Sequence, residues 1–114
     1  MLLVDSDINW HDGVLVDIQL AGFAGQVQQL TLVVDLYPDR DPKAKRRRYV
    51  CVGRKLSRFL VSGDIARLIK NRGAGNIDFM RMEFTAKTEV LALSLFGGTI
   101  EAEAASFHLR KQRG

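Results

Sequence analysis

The sequence predicts an all-β or β-rich α+β fold: an antiparallel β-sandwich or curled sheet of six to seven short strands, with one short helix near 64–72. Three observations lead there. Apolar and polar residues alternate over most of the chain, which is the period of a half-buried strand. Glycine, proline and aspartate gather between the alternating runs, where turns are needed. Helical spacing occurs in a single short segment. An α+β roll, with that helix laid across one sheet, is the alternative arrangement of the same elements.

The first run, Val14 to Leu20, places Val14, Val16, Ile18 and Leu20 on one face and Asp17 and Gln19 on the other. Gly22, Ala24 and Gly25 supply a turn into Gln28–Leu36, where Leu30, Leu32, Val34 and Leu36 alternate with Gln29, Thr31, Val33 and Asp35. Two such runs joined by a short glycine-containing loop make a hairpin. Tyr37-Pro38-Asp39-Arg40-Asp41-Pro42 reads as a loop, because proline fixes φ and lacks an N–H while aspartate favours turns. Arg47–Val52 is a third strand, and Arg58–Val61 is either a fourth or its continuation past a break at Gly53. In Asp64–Gly73 the period changes: Ile65, Leu68 and Ile69 share a helical face, Asp64 suits the N-cap and Gly73 the C′ position.

Strands then resume. Ile77–Phe84 alternates imperfectly, with Met80, Met82 and Phe84 on one side and Ile77 and Phe79 on the other. Val90–Phe96 is almost wholly apolar, which predicts a central strand covered on both faces. Gly97-Gly98 fits a two-residue hairpin turn whose central positions need positive φ. Thr99–Leu109 follows as one strand, with Ile100, Ala102 and Ala104 opposite Glu101 and Glu103, and 110–114 reads as a frayed basic tail.

At 114 residues, with 46% hydrophobic and 26% charged, the chain suits a single domain over 1–114 and neither disorder nor a membrane-spanning helix. Met1-Leu2-Leu3-Val4-Asp5 lacks the basic start of a signal peptide, and Cys51 is the lone cysteine, so a reducing cytoplasm is the expected location.

The formal charge of +4 conceals a gradient. Residues 1–38 hold five aspartates and no lysine or arginine. Residues 39–58 hold Arg40, Lys43, Lys45, Arg46, Arg47, Arg48, Arg54, Lys55 and Arg58 against Asp39 and Asp41. Such a cluster can bind phosphates or an acidic surface, or it can simply keep an exposed strand edge from pairing. The aromatic partners for a single-strand nucleic-acid platform are few: Tyr37, Tyr49 and Phe59.

Catalytic constellations are weak. His11 and Asp12 are neighbours on an extended chain, so their side chains diverge. Glu101 and Glu103 share a strand face, which is more often a wet face than an acid–base pair. A metal site from His11, Asp12 and His108 requires the two chain ends to meet. Cys51 reads as a buried small hydrophobe. No enzyme activity, metal or other cofactor is therefore expected.

Asn9-Trp10-His11-Asp12-Gly13-Val14-Leu15, running straight into a strand, resembles the Trp-His-Asp opening of small bacterial β-rich proteins, several of them grouped as immunity proteins of polymorphic toxin systems. The resemblance implies stoichiometric protein binding without catalysis. Taken on its own chemistry, the motif has a structural role: Trp10 caps one end of the core, while His11 and Asp12 bond to nearby backbone. The expected function is thus a non-enzymatic interaction protein, with an acidic surface preferred by the 39–58 segment. Nucleic-acid or polyanion binding through residues 40–58 is the alternative, and a homodimer that pairs exposed strand edges and the apolar Val90–Phe96 run across a two-fold axis is compatible with either.

Overall fold

A computed structural model describes residues 8–22, 28–38, 45–64, 67–68 and 75–112. They form an antiparallel β-sandwich of eight strands: β1 (Ile8–Ala21), β2 (Gln29–Pro38), β3 (Arg47–Arg54), β4 (Arg58–Gly63), β5 (Ile77–Phe84), β6 (Glu89–Leu95), β7 (Gly98–Ala104) and β8 (Ser106–Lys111). One sheet has the order β1-β2-β3-β8 and the other β4-β7-β6-β5. Among the described residues no helix is long and apolar enough to cross a membrane.

The two halves of the chain trace the same path. In each, three strands form a meander in one sheet and the fourth crosses into the other, where it pairs with the third strand of the opposite half. The sequence shows no repeat, so this internal two-fold belongs to the backbone alone. The crossings lie side by side. The Ser57 N–H donates to the Glu103 carbonyl (2.8 Å) and the Ala105 N–H to the Arg54 carbonyl (2.9 Å), so β3–β4 and β7–β8 form one ribbon bent between sheets. Lys55, at φ 56°, takes the left-handed conformation at the bend.

The expected alternation holds best in β2, where Leu30, Leu32, Val34 and Leu36 are all buried. In β1 a bulge at Val16 reverses the faces: Leu15 pairs with Val34 and Asp17 with Val33. The core residue is consequently Leu15, and Val14 and Val16 are half-buried. A second irregularity between Ile77 and Phe79 puts Ile77 on the same side as Met80 and Met82, which corrects the pattern expected for β5. β6 is covered on one face only. Leu91, Leu93 and Leu95 are buried, whereas Val90, Ala92 and Ser94 are half-buried on the outer face of the sheet.

Other boundaries also move. Thr99–Leu109 is two strands, because Ala105 carries the chain across to the other sheet. Arg110 and Lys111 belong to β8 and pair with Val50 and Tyr49, so they are not a frayed tail; residues 113–114 lie outside the described ones. Tyr37 and Pro38 extend β2, and residues 39–44 of the expected loop lie outside the described ones, as do 23–27 of the first turn. Of the helix expected near 64–72, Arg67 and Leu68 are described and helical, and the rest of 65–74 lies outside. Asp64 acts as the expected N-cap: its Oδ1 accepts the Arg67 N–H (3.3 Å) and its carbonyl the Leu68 N–H (3.0 Å). Leu68 is 1% exposed and belongs to the core.

The β6–β7 hairpin turns on Phe96-Gly97, since Leu95 pairs with Gly98. That displaces the expected Gly97-Gly98 turn by one residue. Gly98 has a different duty, because it pairs with Gly63 where β4 closes on β7. A Cβ on Gly98 would collide with the Ser62 carbonyl oxygen, a backbone atom that cannot swing aside. Gly98→Ala should therefore destabilise the protein by about 1–3 kcal/mol. Urea titration would read this as a lower midpoint with an unchanged slope.

Candidate functional site: a basic face on β3 and β8

β3 builds the site by alternation. Tyr49 and Cys51 point into the core, and Arg48, Val50, Val52 and Arg54 share the outer face. Burial pushes the Cys51 thiol up to about 12, so it stays protonated and unreactive. β8 adds its own outer row by register: Ser106 opposite Arg54, His108 opposite Val52, and Arg110 opposite Val50. Val50 and Val52 are 9% and 8% exposed, low for outward-facing residues, so they make a closed apolar strip between the cations. At one end of that strip Val50, Arg110, Lys111 and Gln112 line an open cleft of about 550 Å³.

The nine cations expected to act together divide into three groups. Arg46, Arg48 and Arg58 are engaged within the fold. Arg46 donates Nε and Nη2 to the Asp12 carbonyl (3.1 and 2.9 Å) and lies over the Tyr37 ring, 5.2 Å from its centroid. Arg48 holds Asp35 through two bonds of 2.9 and 3.2 Å, and the Asp35 carboxylate raises the guanidinium pKa further. Arg58 donates to Glu101 on the neighbouring strand. Lys45, Arg47, Arg54 and Lys55 are exposed and make no ion pair with a described residue. Arg40 and Lys43 lie outside the described residues. Arg110, far away in sequence, joins the outer face through β3–β8 pairing, whereas Lys111 falls opposite the inward-facing Tyr49 at the end of the sheet.

The Trp10-His11-Asp12 motif sits at the other edge of that sheet. Between Asn9 and Val14 the chain makes a wide bulge against β2, with Asp12 left-handed at φ 64°. Trp10 is 6% exposed and packs in the core. Gly13 is needed where the bulge closes, since a Cβ there would lie 2.6 Å from Leu36 Cδ2 and 2.9 Å from the Asp35 carbonyl. The exposed His11 ring reaches the other sheet, its Nδ1 donating to the Asp78 carbonyl of β5 at 2.8 Å. Beside it, Val14 bridges Asn76. The motif thus fastens the β1 edge of one sheet to the β5 edge of the other.

The candidate catalytic groups are not assembled. His11 and His108 occupy opposite edges of the β1-β2-β3-β8 sheet, so they do not form a shared metal site. Glu101 is paired with Arg58, and Glu103 accepts the Thr88 hydroxyl at 2.8 Å. Among the described residues no three His, Cys, Asp or Glu side chains converge as a metal cluster.

No family model and no curated protein sequence matches this chain. Its fold is similar to the crystal structure of an uncharacterized protein from Neisseria gonorrhoeae, with a TM-score of 0.61 over 90% of this chain and 94% of that one, at 11% sequence identity. That likeness concerns the fold.

The sheet-to-sheet bond at His11 gives a pH signature. The Asp78 carbonyl, and then the Asp12 carboxylate 3.5 Å from Nε2, raise the His11 pKa above its ordinary value of about 6.5. A raised folded-state pKa means the stabilisation is fully present below the unfolded pKa and is lost as pH rises through the folded one. Thermal melts of the wild type and His11→Ala should therefore differ most near pH 6 and converge toward pH 8. An NMR titration should place the His11 midpoint above that of the unfolded chain.

Proposed function

We propose that this protein is a non-enzymatic binding module that acts by stoichiometric association with an acidic protein surface, through the outer face of β3 and β8. One observation carries the reading: strand register sets Arg54 and Arg110, cations with no ion-pair partner among the described residues, at the two ends of the Val50 and Val52 strip on one outer face. Cations held at fixed places on one sheet face orient an acidic partner and speed encounter. The Trp10-His11-Asp12 opening supports an immunity-like role of the kind it resembles, in the cytoplasm. On this reading the motif braces the sandwich, and β3 and β8 do the binding.

A polyanion is the second reading, favoured by the cleft that Arg110 and Lys111 line. Among the described residues, the imidazole of His108 is the sole ring exposed on this face. Tyr49 is 4% exposed, Phe59 is half-buried and Tyr37 carries Arg46, while the exposed Phe79, Phe84 and Phe96 all lie on or beside the other sheet. Such binding would rest mainly on phosphates.

Cross-linked capture from native lysate should recover an acidic protein with the wild type. The double variant Arg54→Glu, Arg110→Glu should lose at least about 90% of that capture while melting normally, since both side chains are exposed. Equal capture by both proteins would remove the proposal. Labelled duplex DNA serves as the counter-probe: binding that falls steeply between about 50 and 200 mM salt would put a polyanion in place of the acidic protein.

A further inference from the structure

The internal two-fold makes β4 and β8 equivalent, since each is the fourth strand of its half and each ends a sheet. They are protected unequally. On β8 the inward-facing Phe107 and Leu109 are 3% and 0% exposed, and the Glu89 carboxylate accepts the Phe107 N–H at 2.8 Å. On β4 the corresponding Phe59 and Val61 are only half-buried, Leu60 between them is 53% exposed, and no described strand pairs with the strand's other side. Arg58–Gly63 also lacks the usual devices against edge pairing. It has no proline, no lysine and no inward-pointing charge, and its one cation is held by Glu101.

We propose that β4 is a homodimer interface, at which two copies pair β4 antiparallel about a two-fold axis through Leu60 and join their sheets into one of eight strands. The occupant is a second copy because the strand complements itself in this register. Leu60 meets Leu60 of the partner subunit on the outer face, and Phe59 meets the partner's Val61 on the inner face. Arg58 meets the partner's Ser62, so no like charges oppose each other and Arg58 keeps its bond to Glu101. A register centred on Val61 would set Leu60 against the partner's Ser62 and Phe59 against the partner's Gly63, losing both apolar matches. The dimer leaves the basic face on β3 and β8 untouched, so this inference and the proposed function fail separately.

Sedimentation over roughly 1 to 500 μM tests it, a range that spans the affinity of a small interface. The wild type should approach twice the 12.8 kDa chain mass. Leu60→Lys should raise the dissociation constant at least about tenfold with an unchanged circular dichroism spectrum, because the side chain is on the surface. Leu60→Cys should cross-link to itself under mild oxidation, the two Cβ atoms being about 5 Å apart at the axis, and Ser62→Cys should not. Cys51, buried in the core, stays silent in this assay. A wild type that is monomeric throughout overturns the proposal. So does a dimer that survives Leu60→Lys, or one in which Ser62→Cys cross-links as readily as Leu60→Cys.

Discussion

The bent ribbon of β3–β4 and β7–β8 is the constraint on which the rest of the molecule hangs. Once the chain turns at Lys55 and Ala105, with Ser57 bonded to Glu103 and Ala105 to Arg54, each half must deliver its last strand to the other sheet. Neither half can then complete a sheet alone, and the core forms between elements far apart in sequence. Folding is correspondingly non-local, the regime in which loop-closure entropy precedes the gain from burial. The same bend brings Arg110 beside Val50, so the architecture creates the basic face as well as the core.

What the sequence reveals tracks how directly side-chain period reports the backbone. β2 is regular, and its alternation reads without error. β1 and β5 carry bulges, and one inserted residue reverses every subsequent face, so a correct strand assignment still names Val14 where Leu15 is the core residue. Thr99–Leu109 looks continuous because Ala104, Ala105 and Ser106 keep a strand-like composition through the crossing. No local pattern marks a change of sheet, which is defined by partners far away in the chain. The apolar Val90–Phe96 run misleads for a related reason: β6 lies between two strands, and its neighbours shade Val90 and Ala92 without a third layer.

Charge was legible as a cluster and illegible as a site. Arg46, Arg48 and Arg58 stand in the same basic segment as Arg47 and Arg54, yet they spend their guanidinium groups on Asp12, Asp35 and Glu101. These contacts span sheet neighbours or a bulge, which a one-dimensional reading lacks. The acidic first third of the chain supplies part of the answer. Asp35 in β2 lies opposite Arg48 in β3, so the charge gradient along the sequence becomes a neutralised seam across the sheet. What remains unneutralised is the β3–β8 end, where the partner strand brings further cations instead of acids.

Every sheet end in this sandwich leaves main-chain groups that require partners. Three of the four ends recruit one within the chain. β1 and β5 meet each other through the Val14–Asn76 bridge and the His11 bond to Asp78, and β8 uses Glu89. The exposed imidazole and the half-buried glutamate therefore do structural duty. β4 differs in having apolar side chains on both faces of its edge, and no polar group among the described residues is turned toward it in the way Glu89 is turned toward β8. A backbone that repeats its path while its sequence does not can specialise its equivalent ends. One end is closed by a carboxylate, and the other keeps the main-chain donors and apolar cover that another strand would need.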